Sequence, residues 1–437
     1  MFGVTQVGHR IIAHITGFLP YLYYPISDEF KAEKLSVLQD RLNTHLATAS
    51  PSNSVHRIDL IEKRIRSTGK PLPFLKITAI TEQSLQKIKD KYILLCSSTL
   101  FEDFFSDPEC VYESQVDTLL HFMHDCKIMP MGWAEIPPRK YEALSGPKVS
   151  YRQPEFAVRY NDIAPHSPPP SDTAWRILSF DIETTVPDNG FPKHTQNAVI
   201  QIASMLTRSG EPEPYLRAVF TLGTCSPIPG AEVHECSDEA SLLLGWRDLV
   251  LDNNPDLVTG YNITRFDLPY LLFRAKHLGL GEFPYLGRIK VAETIPRSLN
   301  YSWQDAPMIA GRLLFDVYKY ARDHIPQTSG MGSLKLGRLC AEHLGEGKED
   351  DVDFTMNNRL QAGGPEDRCR LAVYCLKDAY LPQRLIDCAR LRCLEKTIEA
   401  ARVSGVPFNI YSIYGPTLPD AWRLKAARDE GRVIRDI

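Results

Sequence analysis

The sequence predicts a mixed fold in two parts: a smaller α+β unit of antiparallel strands, then an α/β unit in which a mixed sheet is flanked by helices. Three observations predict it. Residues 1–164 hold short β-favouring runs interrupted by only two helical patterns. A proline-rich stretch, APHSPPPSD at 164–172, then reads as a stiff linker. Beyond it the order becomes strand, strand, strand, helix, the pattern of a sheet with helices packed on it. With 437 residues there is chain enough for two or three domains with cores of their own. The expected boundaries are 1–164, 165–405 and 406–437.

In the first unit the β-patterned runs are 2–5, 10–15, 19–24, 55–61 and 74–77; residues 27–46 have helical spacing, and a second helical pattern precedes Lys127. In the second unit strands are expected at 177–183, 198–206 and 215–222. A helix at 238–251 follows, capped by Ser237 and Asp238, with Leu242, Leu243, Trp246 and Val250 recurring on one face. A short strand at 256–259 leads through GYNITRFD (260–267) into another helix. GMGSLKLG at 330–337 lacks the glycine, lysine and hydroxyl series of a phosphate-binding loop and reads as a turn before a helix starting near 333. A long helical stretch covers 365–403, and a charged helical tail runs to 437.

Hydrophobic residues at 43% and charged residues at 24% belong to an ordinary soluble globular chain, not a disordered or fibrous one. A net charge of -4 excludes a generally basic coat, so any nucleic-acid contact must come from a local patch or from metal-bridged phosphates. The ten cysteines include no CxxC pair, and residues 1–20 lack the charged start and small-residue cleavage site of a signal peptide. A reduced intracellular compartment is therefore expected. No apolar run approaches the roughly 18 residues of a membrane span.

The second unit is organised around FDIETT, 180–185. Side chains alternate across a strand, so Asp181 and Glu183 project from one face and Phe180 and Ile182 from the other. Two carboxylates there repel each other and lose hydration unless a cation sits between them, which makes a divalent metal site the natural candidate. A strand end reaching solvent is the plain alternative. Two later acids join them. Asp267 ends GYNITRFD, where it also suits a helix N-cap. Asp378 ends YCLKD, four residues after Tyr374 on one helical face, where an ordinary amphipathic pair is the alternative.

In order and approximate spacing these three segments resemble the proofreading exonuclease motifs of family B DNA polymerases. MFGVTQVGHR and ITGFLPYLYY near the start, PLPFLKI at 71–77, GEPEPYLR at 210–217, GYNITRFDLPYLLFRA at 260–275, RLAVYCLKDAYLPQRL at 370–385 and ARVSGVP at 401–407 extend the likeness, toward the delta type, over nearly the whole chain. The resemblance implies a ribonuclease-H-like exonuclease domain that cuts DNA from the 3′ end with two Mg²⁺ or Mn²⁺ ions. Such hard cations keep waters and prefer oxygen ligands, so carboxylates are required. By matched position it implies that Asp181 bridges both ions, that Glu183 and Asp378 complete the nucleophile-side ion, that Asp267 holds the leaving-group ion and that Tyr374 orients the attacking water. Asn262 and Phe266 would hold the frayed primer end, Phe266 by stacking, although core packing is an equal reading for that ring. Thr184 stands where the family often has cysteine and Arg265 where asparagine is usual, which sets a cation beside Asp267. The implied partners are a single-stranded or frayed DNA end, other polymerase subunits and a sliding clamp; the implied location is the nucleus, with no membrane.

The basic cluster Arg57, Lys63, Arg64, Arg66 and Lys70 either tracks a phosphate backbone or guards a strand edge against aggregation. His121 and His124 lie one helical turn apart, but zinc usually wants four ligands and no second cluster accompanies them, so they read as structural. After 402 no strand or hairpin carries the paired aspartates of a polymerase palm, and no cysteine cluster matches those that hold zinc or an iron-sulfur cluster in this family. The chain reads as the front part of a larger polymerase and by itself is not expected to extend a primer. Two functional readings follow: a catalytic 3′ to 5′ exonuclease portion, or a non-catalytic nucleic-acid-binding or assembly piece that retains the fold.

Overall fold

A computed structural model describes residues 1–5, 7–26, 30–47, 54–65, 69, 71–96, 111–166, 174–211, 213–295, 306–325, 334–347, 352–414 and 419–435. Its central feature is a six-stranded mixed sheet in the order Glu232–Cys236, Leu216–Leu222, Val199–Arg208, Arg176–Thr184, Leu257–Gly260, Leu313–Asp316. Arg176–Thr184 pairs antiparallel with Val199–Arg208 and parallel with Leu257–Gly260, which in turn runs parallel to Leu313–Asp316.

Helices cover both faces, which is why Arg176–Thr184 reads as a near-continuous apolar run. Leu178, Phe180 and Ile182 pack with Leu242, Trp246, Leu268 and Leu271 of helices Glu239–Asn253 and Asp267–His277. Ile177, on the other face, packs with Leu381 and Leu385 of helix Pro365–Asp387. Alternation therefore turns Asp181 and Glu183 toward that long helix. The three parallel strands end on one side, and in open α/β sheets ligands bind outside the carboxyl ends of strands.

The amino-terminal residues build two four-stranded sheets. One is ordered Phe2–Val4, Arg10–Thr16, Glu155–Arg159, Tyr141–Ala143; the other Arg432–Val433, Val55–Ile65, Pro71–Ala79, Tyr21–Pro25. Leu22, Ile58, Leu75 and Ile77 form the second sheet's inner face against Leu38 and Leu42 of helix Leu35–Ala47. Arg10 reaches the central sheet, its guanidinium 2.6 Å from Asp256.

Several expected elements are corrected. The linker at 164–172 begins as a strand, Ala164–His166 pairing antiparallel with Trp133–Glu135; a two-stranded ribbon tolerates Pro165 because both of its strands are edges. The rest of that stretch lies outside the described residues. The helix expected at 27–46 is a 3₁₀ turn at Ala32–Lys34 followed by Leu35–Ala47, with 27–29 outside the described residues. The helix expected near 333 runs Leu336–Leu344. The stretch 365–403 is two helices, Pro365–Asp387 and Cys393–Ser404, broken where Arg392 turns left-handed at φ 47°. Helix Glu82–Cys96 and strands Glu232–Cys236 and Leu313–Asp316 are additional.

The carboxy-terminal residues, helical at Pro419–Asp429, pack back on both parts of the chain. Asn409 accepts the Leu314 N–H at 2.9 Å, and Arg428 of helix Pro419–Asp429 reaches the amino-terminal residues Glu113, at 2.6 Å, and Asp125, at 3.1 Å. Arg432–Val433 then adds a parallel edge strand beside Val55–Ile65.

Candidate active site

Gly260 ends its strand so close to the acid-bearing strand that a Cβ there would lie 2.6 Å from the Phe180 carbonyl oxygen and 2.4 Å from Ile263 Cγ2. Only glycine fits without a shift. The chain then turns through Asn262 at φ 67°, a left-handed conformation that asparagine tolerates better than most residues. Asp316 holds this turn. Its carboxylate accepts the N–H of Asn262 at 2.9 Å, the N–H of Thr264 at 3.0 Å and the hydroxyl of Thr264 at 2.6 Å, while capping helix Val317–His324.

The turn delivers Asp267 as the first residue of its helix; the N-cap is Phe266, so the capping alternative for Asp267 does not hold. The Asp267 carboxyl is buried and accepts the Ile182 N–H at 3.3 Å. Burial pushes it up to about 8; its own backbone N–H and that of Ile182 pull it down, while the charges of Asp316 and Glu183 push it further up. Asp316 is likewise raised by burial. Arg265, two residues before Asp267 in this turn, is half-buried.

Glu183 is buried and accepts the Asn357 side-chain amide at 2.7 Å; the same nitrogen also donates to the Thr184 carbonyl at 3.0 Å. Asp181 is half-buried beside Cys375, whose Sγ lies 3.6 Å from Asp181 Oδ2. Donor atoms of Asp181, Glu183 and Cys375 fall within 4.8 Å of one another. Burial first, then the charges of Asp181 and Glu183, hold the Cys375 thiol well above its ordinary range, so it is an S–H donor and the carboxylates carry the charge.

Asp378 is buried one helical turn beyond Cys375, and its charge also reaches that thiol. Tyr374 is half-buried against Ile200, Leu360 and Leu371. Phe266 packs partly into the core with its ring 5.5 Å from Tyr270. Asp181 and Glu183 thus meet directly; Asp267 joins them through the Ile182 N–H, and Asp378 through the field at Cys375.

Three residues escaped sequence reasoning: Asp316, Asn357 and Cys375. Asp316 carried a usable signal, since LLFD closes an apolar run with an acid just as FDIE does. The donor set suits a hard divalent cation: clustered oxygens, a thiol kept protonated, and a buried acid raised by burial and by the neighbouring charges of Asp316 and Glu183.

Residues 109–336, more than half of the chain, match the family model described as DNA polymerase family B, exonuclease domain. The chain belongs to the family B DNA polymerases. The chain is 36% identical over 456 residues to the DNA polymerase delta catalytic subunit of Oryza sativa subsp. japonica, covering 100% of this chain and 40% of that protein. It is 37% identical over 426 residues to the DNA polymerase delta catalytic subunit of Schizosaccharomyces pombe (strain 972 / ATCC 24843), covering 94% of this chain and 38% of that one. The chain spans about 40% of the length of the curated relatives it matches. The solved family B DNA polymerase from the hyperthermophilic archaeon Pyrobaculum calidifontis shares its fold with a TM-score of 0.71 at 22% identity, over 99% of this chain and 48% of that one. Among the described residues no helix is long and apolar enough to cross a membrane.

Proposed function

We propose that this chain removes nucleotides from the 3′ end of DNA, as the proofreading portion of a delta-type polymerase whose complete form carries DNA-directed polymerisation. The observation that supports it is a largely buried group of carboxylates near the carboxyl ends of parallel strands, one of them, Asp267, pushed up to about 8 by its burial. Asp181, Glu183, Asp267 and Asp378 would hold two Mg²⁺ or Mn²⁺ ions on the ribonuclease-H-like frame. Bound there, such ions supply an activated water, stabilise charge at phosphorus and assist the departing oxygen.

The chain's own groups do the positioning. Asn357 fixes the Glu183 carboxylate through its 2.7 Å hydrogen bond, and Asp316 fixes the turn that carries Asp267. Cys375, as a thiol, donates toward Asp181 without competing for a hard cation. The Tyr374 hydroxyl orients the attacking water, and Asn262 with Phe266 grips the frayed strand end, Phe266 by stacking on a base. A nuclear location, further polymerase subunits and a sliding clamp belong to the same proposal, on similarity to the delta catalytic subunits.

The test is the pair Asp181→Ala and Glu183→Ala made together. The double variant should stay folded by circular dichroism and lose chelator-sensitive degradation of 5′-labelled single-stranded DNA. Undiminished degradation refutes the assignment. A parent chain that binds the strand yet never cuts it, with Mg²⁺ or Mn²⁺ present, makes this a non-catalytic binding module.

A further inference from the structure

Strand Leu216–Leu222 runs into a short loop that lies against the start of helix Pro365–Asp387, the helix that carries Tyr374, Cys375 and Asp378. Hydrogen bonds clip the two together. The Ser226 N–H donates to the Pro365 carbonyl at 3.0 Å, and the Arg368 guanidinium donates to the Thr224 hydroxyl at 2.9 Å and to the Thr224 carbonyl at 2.5 Å. The loop is also held from the sheet side, because the Cys225 N–H donates to the Glu235 carboxylate at 2.7 Å.

These contacts bring two thiols together. Cys225 is buried, Cys369 in the second turn of the helix is half-buried, and both pack in one cluster with Ala203, Val219 and Ala372. The Cys225 S–H has two acceptors, the Cys369 sulfur and the Ser226 carbonyl at 3.4 Å. A disulfide forms without strain only where the sulfurs already meet on backbones that lie side by side. Here the residues next to each cysteine, Thr224 and Ser226 on one side and Arg368 on the other, are already bonded across the gap. Cys388 and Cys393 make the informative contrast: Cys388 acts on Cys393 through its charge, and each S–H has a backbone carbonyl as acceptor, His343 and Leu385, at 3.6 Å.

The two thiols are unequal. Burial, then the charge and hydrogen bond of Cys369, push Cys225 up to about 11, so Cys225 keeps its proton when its neighbour ionises. Cys369 is the more exposed of the two and meets an oxidant first. We propose that Cys225 and Cys369 are a peroxide-responsive pair that closes into a reversible disulfide and pins the first turns of this helix to the sheet. The Cys369 thiolate attacks a peroxide oxygen; an S–O bond forms, the O–O bond breaks, and the departing hydroxide takes up a proton as water. The Cys225 sulfur then attacks the sulfur of that sulfenic acid. The S–S bond forms as the S–O bond breaks, and the Cys225 proton leaves with the oxygen as a second water. Two thiols are oxidised for one hydrogen peroxide reduced, and exchange with dithiothreitol reverses the bridge. Since loop and helix are already in contact, closure holds the helix where it is. The pairing stands whether or not the chain is a nuclease.

The test treats the folded full chain with one equivalent of hydrogen peroxide, quenches with catalase, alkylates in denaturant and maps the tryptic peptides. Free thiols should fall by two from ten, the Cys225 peptide should be joined to the Cys369 peptide, and dithiothreitol should restore both. Cys225→Ser should stop Cys369 at the sulfenic acid, where dimedone adds to it, whereas Cys369→Ser should leave the buried Cys225 unlabelled. Hydrogen exchange of amides 366–371 should slow in the oxidised parent and in neither serine variant. The parent chain decides the bridge by itself, so a serine variant that misfolds leaves the test standing. All ten thiols surviving treatment overturns the proposal, as does a bridge at another pair such as Cys388 with Cys393. So does Cys369 carried on to a sulfinic acid in the parent, or faster exchange at 366–371 after oxidation, which means that the bridge pulls the helix away.

Discussion

Asp267 gives the sharpest test of the carboxylate site. With burial pushing it up to about 8, the acid is mostly protonated at neutral pH before any cation binds. The sign follows from linkage. The folded chain holds a proton that the unfolded chain, with its ordinary value of 3.8, has released, so this contribution to stability is complete below about pH 4 and is lost as pH rises through about 8. The slope is at most one proton, about 1.4 kcal/mol per pH unit. A divalent cation reverses the preference, because binding needs the carboxylate. Apparent affinity should rise with pH below about 8 and level off above it, with proton release on binding at neutral pH. Calorimetric titration of Mn²⁺ in two buffers of different ionisation enthalpy reads that proton directly. Asp267→Asn should abolish both the proton release and the falling stability of the metal-free chain. Metal affinity independent of pH between 6 and 8, with no buffer dependence, refutes the reasoning.

Other positions give independent outcomes. Tyr374→Phe removes one oriented hydroxyl and should slow single-turnover cleavage by about 10² to 10³ while leaving metal affinity alone, by analogy with an oxyanion donor; an unchanged rate assigns Tyr374 to packing against Ile200 and Leu360. Gly260→Ala drives a methyl against the Phe180 carbonyl and Ile263, and overpacking of this kind costs about 1 to 3 kcal/mol; an unchanged melting temperature excludes the close approach. Arg428→Met strands Glu113, fully buried, with the His121 ring 3.2 Å away, and should cost about 3 to 5 kcal/mol in denaturant unfolding. Adding Glu113→Gln should recover part of that loss, and full additivity of the two changes argues against a shared network.

The acid strand was legible because its chemistry breaks its own pattern: Phe180 and Ile182 belong in a core, and Asp181 and Glu183 do not. Helix Glu239–Asn253 was legible for the opposite reason, a cap at Asp238 and an apolar face that agree. Strand Leu313–Asp316 escaped because four apolar-rich residues have no measurable period, yet its last residue organises the loop that carries Asp267. Asn357 had no signal at all. Its contact with Glu183 spans 174 residues, and an asparagine beside another asparagine on a short helix is locally indistinguishable from a turn residue. The proline-rich composition at 164–172 could not reveal that its first residues, Ala164–His166, find a partner strand earlier in the chain at Trp133–Glu135.

Composition also divides this chain more cleanly than its interactions do. Arg10 of the amino-terminal sheet shares Asp256 with Arg288, whose guanidinium lies 2.5 Å from that carboxylate, and the Arg176 N–H donates to the same group at 2.9 Å. One buried acid thus joins an amino-terminal strand to the first residue of the acid-bearing strand. At the other end Arg402 donates to the Met131 carbonyl at 2.6 Å, and Arg428 binds Glu113. These charges are largely removed from water, so losing one partner leaves an uncompensated ion, a larger penalty than losing an exposed pair. The orientation of Asp181 and Glu183 is therefore tied through Arg176 and Asp256 to residues that the sequence assigned to a different unit. Substitutions at Arg10 should be read for their effect on the carboxylate site before they are counted as damage to a separate amino-terminal domain.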